Sequence, residues 1–259
     1  FRARSTGPRG GQGLFVVGPC EGYLDAWGES LTLFDGDRMV SSNSYMGLPS
    51  PAQQYLRITE IMYNPLPTTD PSSDAQQFEY IELKNISTSE TLDLNNVQFS
   101  KGISFNFSGS AATHLAPQET VLLVRNRNAF TARYGDGFNV AGEFSAALDN
   151  SGETLRLEDA VGETILEFAY DDSWYPTTDG LGFSLAIVDE NTLRTTWGNK
   201  ASWRASGILI GSPGVADPAP PEIGRIIVNE ALTHTDLPAL DSVELFNPTT
   251  NAVNIGGWF

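Results

Sequence analysis

Cysteine is almost missing from this chain: one residue, Cys20, stands among 259. No intrachain disulfide can form, and no cysteine metal cluster can be assembled. Cys20 itself lies in Gly18-Pro-Cys-Glu-Gly22 with no candidate base nearby, which reads as a passive thiol. Histidine is equally scarce. His114 and His234 occupy non-equivalent places, so a zinc site or histidine-based proton transfer lacks its usual groups. Positive charge is short as well: 15 Lys plus Arg face 32 Asp plus Glu, a net charge of −17. Such a surface repels phosphate backbones and anionic lipid, so nucleic acid is not expected as a partner. No apolar run approaches the roughly 18 residues that span a bilayer, and no membrane insertion is expected. Gly-x-Ser-x-Gly, a phosphate loop and a Cys/His pair are all lacking. The opening Phe1-Arg-Ala-Arg has neither an initiator methionine nor a signal-peptide core, and reads as a cut end of a longer chain.

What the chain does have is internal repetition. Leu56-Arg-Ile-Thr-Glu-Ile-Met-Tyr-Asn-Pro65 returns as Ile226-Ile-Val-Asn-Glu-Ala-Leu-Thr-His-Thr235, carrying Glu60 onto Glu230. Tyr80-Ile-Glu-Leu-Lys-Asn85 returns as Ser242-Val-Glu-Leu-Phe-Asn247, and Leu92-Asp-Leu-Asn-Asn-Val97 as Val253-Asn-Ile-Gly-Gly-Trp258. Three phrases in the same order mark a repeat. The N-terminal segment matches the back of the same unit, Leu24-Asp-Ala-Trp-Gly-Glu-Ser-Leu-Thr-Leu33 against Leu148-Asp-Asn-Ser-Gly-Glu-Thr-Leu-Arg-Leu157. The expected organisation is a back half at 1–55, a whole unit at 56–215, a proline-rich linker at 216–221 and a front half at 222–259.

Within the whole unit, apolar residues alternate in short runs between Gly, Asn, Asp and Pro. Leu56/Ile58/Met62, Ile81/Leu83, Phe105/Phe107, Leu155/Leu157 and Phe183/Leu185/Ile187 read as half-buried strands. Val121-Leu-Leu-Val124 reads as a strand buried on both faces. Asn126 to Tyr134 suits a short helical turn. A hairpin is expected around Asp159-Ala-Val-Gly162. Strands so spaced predict an all-β antiparallel sandwich.

The motifs Ile-x-Glu-Ile-x-Tyr-Asn-Pro, Glu-Tyr-Ile-Glu-Leu-x-Asn, Leu-Asp-Leu and Leu-Asp-x-x-Gly-Glu-x-Leu-x-Leu resemble the lamin tail domain. The tail with Trp203-Arg-Ala-Ser206 and Gly211-Ser-Pro-Gly214 is similar to the ending of its bacterial surface or secreted members. The resemblance implies tandem immunoglobulin-like β-sandwiches. One departure is plain: the family's Gly-Trp step is Asn96-Val97 in the central copy, whereas Gly257-Trp258 keeps it.

Glu60 and Glu230 share strand parity with core-facing residues, where a bare carboxylate costs several kcal/mol. Such an acid is either a site residue with a shifted pKa, a structural carboxylate on backbone amides, or a sign of a bulge. Asp70, Asp74, Asp171, Asp172 and Asp179 cluster in loops and are the candidates for calcium, although none has the Asp-x-Asp-x-Asp-Gly spacing. Asn85-Ile-Ser87 and Asn106-Phe-Ser108 are glycosylation sequons. No nucleophile–base–orienter set can be composed, so no enzyme is expected. The expectation is a structural module of a repetitive extracellular or cell-surface protein, self-associating head to tail as neighbours complete each other's half domains. A rival reading is a protein- or glycan-binding appendage of a secreted enzyme. Trp174, Tyr175, Trp197 and Trp203 would then form its aromatic patch.

Overall fold

Leu56, Ile58, Ile81, Leu83, Leu155 and Leu157 all lose their entire surface to one core, and the strands that carry them define the fold. The computed structural model describes residues 24–69, 74–218, 226–233, 240–250, 252–253 and 255. The chain forms two compact units, 1–50 and 51–259. The first contains a hairpin of β1 (Ser30–Asp35) and β2 (Arg38–Ser44). The second opens with α1 (Pro51–Tyr55), followed by β3 (Leu56–Met62), β4 (Tyr80–Asn85), β5 (Leu92–Asp93) and β6 (Gln98–Lys101). Next come β7 (Phe105–Asn106), β8 (His114–Leu115), β9 (Thr120–Val124), α2 (Arg127–Tyr134) and β10 (Val140–Glu143). The hairpin β11 (Thr154–Glu158) and β12 (Thr164–Ala169) is followed by β13 (Leu185–Ile187) and β14 (Trp203–Ala205). A separate hairpin, β15 (Ile227–Leu232) and β16 (Ser242–Phe246), completes the described elements.

Two sheets make the sandwich. One has six strands in the order β10-β9-β4-β3-β13-β14, the other four in the order β12-β11-β6-β7. β5 and β8 form a small two-stranded rim. The antiparallel expectation holds for every pairing of the named strands but one, because β10 runs parallel to β9; the isolated bridge Asn64–Asp179 is parallel too. The eight-residue helix α2 lies between β9 and β10 and returns the chain, as a parallel neighbour requires. Asn126 caps that helix by accepting from the Ala129 amide at 3.0 Å.

The sandwich begins earlier than residue 56. Ala52 of α1 joins the core, and Gln53 Nε2 donates to the Thr164 carbonyl at 3.2 Å. The buried Arg57 guanidinium closes the helix end, donating to the carbonyls of Gln53, Gln54 and Leu56. At Asn96-Val97, Asn96 takes a left-handed φ of 63°, a conformation that Asn tolerates better than most residues. Its side chain accepts from the Ser108 hydroxyl at 2.8 Å, and Val97 is buried beside Phe99 and Phe107 in the same core.

The hairpins repeat in geometry as well as in sequence. β1–β2 and β11–β12 share their register, and each has a bulge after the second leucine, at Leu33/Phe34 and Leu157/Glu158. β3–β4 and β15–β16 also share theirs, with bulges between Ile58 and Glu60 and between Val228 and Glu230. Ser87 donates its amide to Asn85 Oδ1 at 3.0 Å, and Thr249 does the same to Asn247 at 2.9 Å.

Candidate functional site

The bulge between Ile58 and Glu60 decides what Glu60 is. One extra residue reverses the alternation, so Leu56 and Ile58 face the main core while Glu60 and Met62 face the other side of the sheet. Sequence parity placed Glu60 with Leu56 and Ile58; the bulge separates them. On that outer face a second cluster forms from Met62, Tyr80, Leu122, Val124, Phe130 and Val140. α2 supplies Phe130, whose ring meets Tyr80 edge-on at 5.9 Å.

Glu60 is only 2% exposed, and its donors converge on one oxygen. Oε1 accepts from the Tyr80 hydroxyl at 2.6 Å, from the Ser212 amide at 2.9 Å and from the Ser184 hydroxyl. Ser212 Oγ lies 3.3 Å from Oε2, but its single proton has a nearer acceptor in Asp217, at 2.7 Å. Burial raises the Glu60 pKa, and the donors from Ser184, Tyr80 and Ser212 oppose that rise. Tyr80 is raised well above its usual value by burial, and further by Glu60. Gly211 is required here: its φ is +83°, and a Cβ would overlap the Tyr80 hydroxyl.

Beside Glu60, Glu82 on β4 accepts from Thr59 Oγ1 at 2.6 Å and from the Gly214 amide at 2.6 Å. Burial pushes its pKa up to about 7, with the charge of Glu60 adding to the rise. The two carboxyls thus hold successive parts of one strap, residues 206–217, against the sheet. Asp217 ties the strap's end, accepting from Arg204 and from the Gly207 amide at 2.9 Å. The stretch expected to be a free linker from residue 216 therefore starts as part of the sandwich; residues 219–221 lie outside the described residues. A cleft of about 450 Å³ adjoins the strap, lined by Lys84, Gln118, Thr120, Glu190 and Arg204 among others. Lys84 and Glu190 pair across it at 2.8 Å.

Chemically, this arrangement is a clamp. Hydroxyl and amide donors surround Glu60, and its role in the fold is to pair backbone and hydroxyl groups that would otherwise be orphaned. The strap escaped the sequence reading because its key donors, the Ser212 and Gly214 amides, have no side-chain signature.

Of the calcium candidates, Asp74, Asp171, Asp172 and Asp179 are among the described residues. Asp74 caps the helical turn 75–78, accepting from the Gln76 amide at 3.0 Å. Asp171 caps the turn 172–174, to which Asp172 belongs, accepting from the Ser173 hydroxyl at 2.5 Å and the Ser173 amide at 2.9 Å, and those two bonds lower its pKa. Asp179 accepts from Asn64 Nδ2 at 2.6 Å. Asp70, Cys20 and His234 lie outside the described residues. Among the described residues, no three His, Cys, Asp or Glu converge in a way that could hold a metal ion. His114 is exposed on β8 beside Thr113. Asn85 of the first sequon is fully buried, its amide spent on the carbonyls of Glu90, Leu115 and Ala116; Asn106 of the second is exposed.

The aromatic candidates turn inward. Trp197 and Trp203 are 0% and 1% exposed, and Phe168 stacks on Trp203 at 5.3 Å. Trp203 Nε1 donates to the Trp197 carbonyl at 2.7 Å, and Tyr175 donates its hydroxyl to the Trp203 carbonyl at 2.8 Å. Trp174 and Tyr175 pack, partly buried, against the same core.

Residues 49–172 match the family model of the Lamin Tail Domain. The match runs from just before α1 to just past β12, and the fold is all-β and immunoglobulin-like. β13, β14 and the strap lie beyond it. No curated protein and no solved structure matches the chain. A lamin tail domain is a structural or interaction domain, which fits a non-enzymatic module.

Proposed function

We propose that the chain is a non-enzymatic structural module of a repetitive extracellular or cell-surface protein of bacterial type, in which lamin-tail-like units follow one another and join head to tail. One observation carries the reading. Tyr170 donates its hydroxyl to the Asp149 carbonyl at 2.8 Å and lies 3.3 Å from Glu153. Tyr45 donates to the Asp25 carbonyl at 2.8 Å and lies 3.2 Å from Glu29. The turns beneath match as well, with Gly152 donating to Asp149 at 3.1 Å and Gly28 to Asp25 at 3.0 Å. A corner reproduced bond for bond supports a second copy of the unit more strongly than sequence likeness alone. The high acidity suits a soluble, solvent-bathed array.

The appendage reading, with glycan or protein as ligand, needs an open aromatic patch. The four candidate rings serve the core instead, which favours the structural module. Hydrolase, nuclease and kinase assays on the whole chain should show no turnover above background. Turnover that is lost in Glu60→Gln while the near-ultraviolet spectrum stays intact would overturn the proposal.

A further inference from the structure

The two oxygens of Glu60 are used unequally. Oε1 accepts from the Tyr80 and Ser184 hydroxyls and from the Ser212 amide. Among the described residues, Oε2 has a single hydrogen-bond neighbour, the Ser212 hydroxyl at 3.3 Å. That hydroxyl has one proton, and Asp217 Oδ2 takes it at 2.7 Å. Asp217 in turn accepts from Arg204 and from the Gly207 amide. Lone pairs on Oε2 and on Ser212 Oγ therefore face each other in a buried site, unless Oε2 carries a proton. A proton there completes a chain: Oε2–H donates to Ser212 Oγ, and Oγ–H donates to Asp217. Burial favours the same form, since it raises the Glu60 pKa against the three donors on Oε1.

The strap that closes over this chain is held by polar contacts. Its Ile208, Leu209 and Val215 stay 42%, 51% and 60% exposed, while Ser206 and Ser212 are buried. Ser206 donates its amide to the Ser184 carbonyl at 2.9 Å, and Tyr134 of α2 donates to the Ile210 carbonyl at 2.9 Å. Gly214 reaches Glu82, the register partner of Glu60 on β4. Two acids thus lie side by side under one strap.

We infer that the strap is a proton-linked latch: closing it places a proton on Glu60 Oε2, and loss of that proton favours opening. The groups around Glu60 set this direction. Tyr80 and Glu82 face it from β4, Tyr134 from α2 and Asp217 from the strap, and Asp189 and Glu190 border the adjoining cleft. The cations of that cleft have partners of their own, Arg204 in Asp217 and Lys84 in Glu190. Ionised Glu60 gains no cation from this set. Opening returns both acids to water and to their ordinary proton affinity, so closure takes protons up. Its contribution is complete below the ordinary carboxyl value of about 4.3, and is lost as pH climbs through the raised values of the closed strap.

Hydrogen exchange of the whole chain from about pH 5 to about pH 8.5, corrected for the intrinsic rate at each pH, tests the latch. The Ser212 and Gly214 amides report opening of the strap, and those of 121–124 report opening of the core. Relative to the core, strap protection should fall as pH rises, by up to about tenfold per pH unit for each proton released. Glu60→Gln places an amide N–H where Oε2 would carry its proton. It should remove the Glu60 share of the fall and leave the Glu82 share. Ser212→Ala keeps the strap amide but takes away the acceptor, and should weaken the dependence too. An infrared difference between wild type and Glu60→Gln at mildly acid pH should show the lost band of a protonated carboxyl. Relative protection that is flat or rises with pH, a slope in Glu60→Gln equal to that of the wild type, or no such band would each overturn the latch. Near-ultraviolet spectra from the buried Trp197 and Trp203 report folding, and Ser212→Ala stands in if Glu60→Gln does not fold.

Discussion

Tyr80 donates its hydroxyl to Glu60 across 2.6 Å, and neither group reaches solvent. The pair joins β3 to β4 on the face away from the main core, where α2 and the strap cover it. Its energetics follow from accounting for donors. Replacing Glu60 with Ala strands the Tyr80 and Ser184 hydroxyls and the Ser212 amide in a dry site, each costing on the order of 1–3 kcal/mol. Glu60→Ala should therefore lower stability by about 3 kcal/mol or more in urea unfolding. Glu60→Gln keeps one acceptor oxygen and should fall between. A loss under about 0.5 kcal/mol in Glu60→Ala would contradict the clamp.

Stability should decline as pH rises. Burial pushes Glu79 up to about 8, against the nearby Arg125, and Glu82 up to about 7, against the nearby Lys84. The folded chain thus holds protons that the unfolded chain releases near the ordinary carboxyl value of about 4.3. Between those values folding takes up protons, so its contribution is intact below about pH 4 and is lost as pH climbs through about 7 to 8. Denaturant midpoints should be higher at pH 5 than at pH 8.5, and Glu79→Gln with Glu82→Gln should flatten the difference. A midpoint that rises with pH would contradict the assignment.

Trp203→Ala should cost about 3–5 kcal/mol, because the ring is buried against Phe168 and Trp197. Soluble glycans should leave tryptophan emission unchanged in the wild type. A saturable spectral shift on adding a glycan would revive the aromatic-patch reading.

Asn126→Ala should destabilise by about 1 kcal/mol, through loss of the α2 cap and of its 3.0 Å bond to Gln77. Hydrogen exchange should then quicken first in 127–134, and β10, which that helix delivers to the sheet, should follow. Exchange that is unchanged in both would show that packing of Phe130 alone holds the helix.

The sandwich was legible because period-two alternation is a local signal: Leu155/Leu157 and Ile81/Leu83 sit where it placed them. Val121-Leu-Leu-Val124 was legible for a related reason, since continuous apolarity marks a strand covered on both faces. The orientation of Glu60 was not, since alternation was extended through a bulge that register alone reveals. A carboxylate at core parity was itself the available sign of that bulge. The parallel course of β10 is a long-range outcome of the α2 return and leaves no mark in Val140-Ala-Gly-Glu143. Whether the tryptophans faced in or out depended on β13 and β14 adding to the sheet beside β3, which short strand runs cannot tell.

The chain enters the sandwich through α1 and β3 and leaves along the strap, and Glu60 fastens β3 to the strap. A pull along the chain would accordingly run from β3 through Glu60 to Ser212, with Glu82 and Asp217 sharing the strain, before any of it reaches the Leu/Ile/Trp core. Releasing residues 206–217 would pay out roughly 40 Å of extended chain at about 3.4 Å per residue. In an array under tension, the strap would act as a sacrificial fuse, yielding length while the two sheets stay shut.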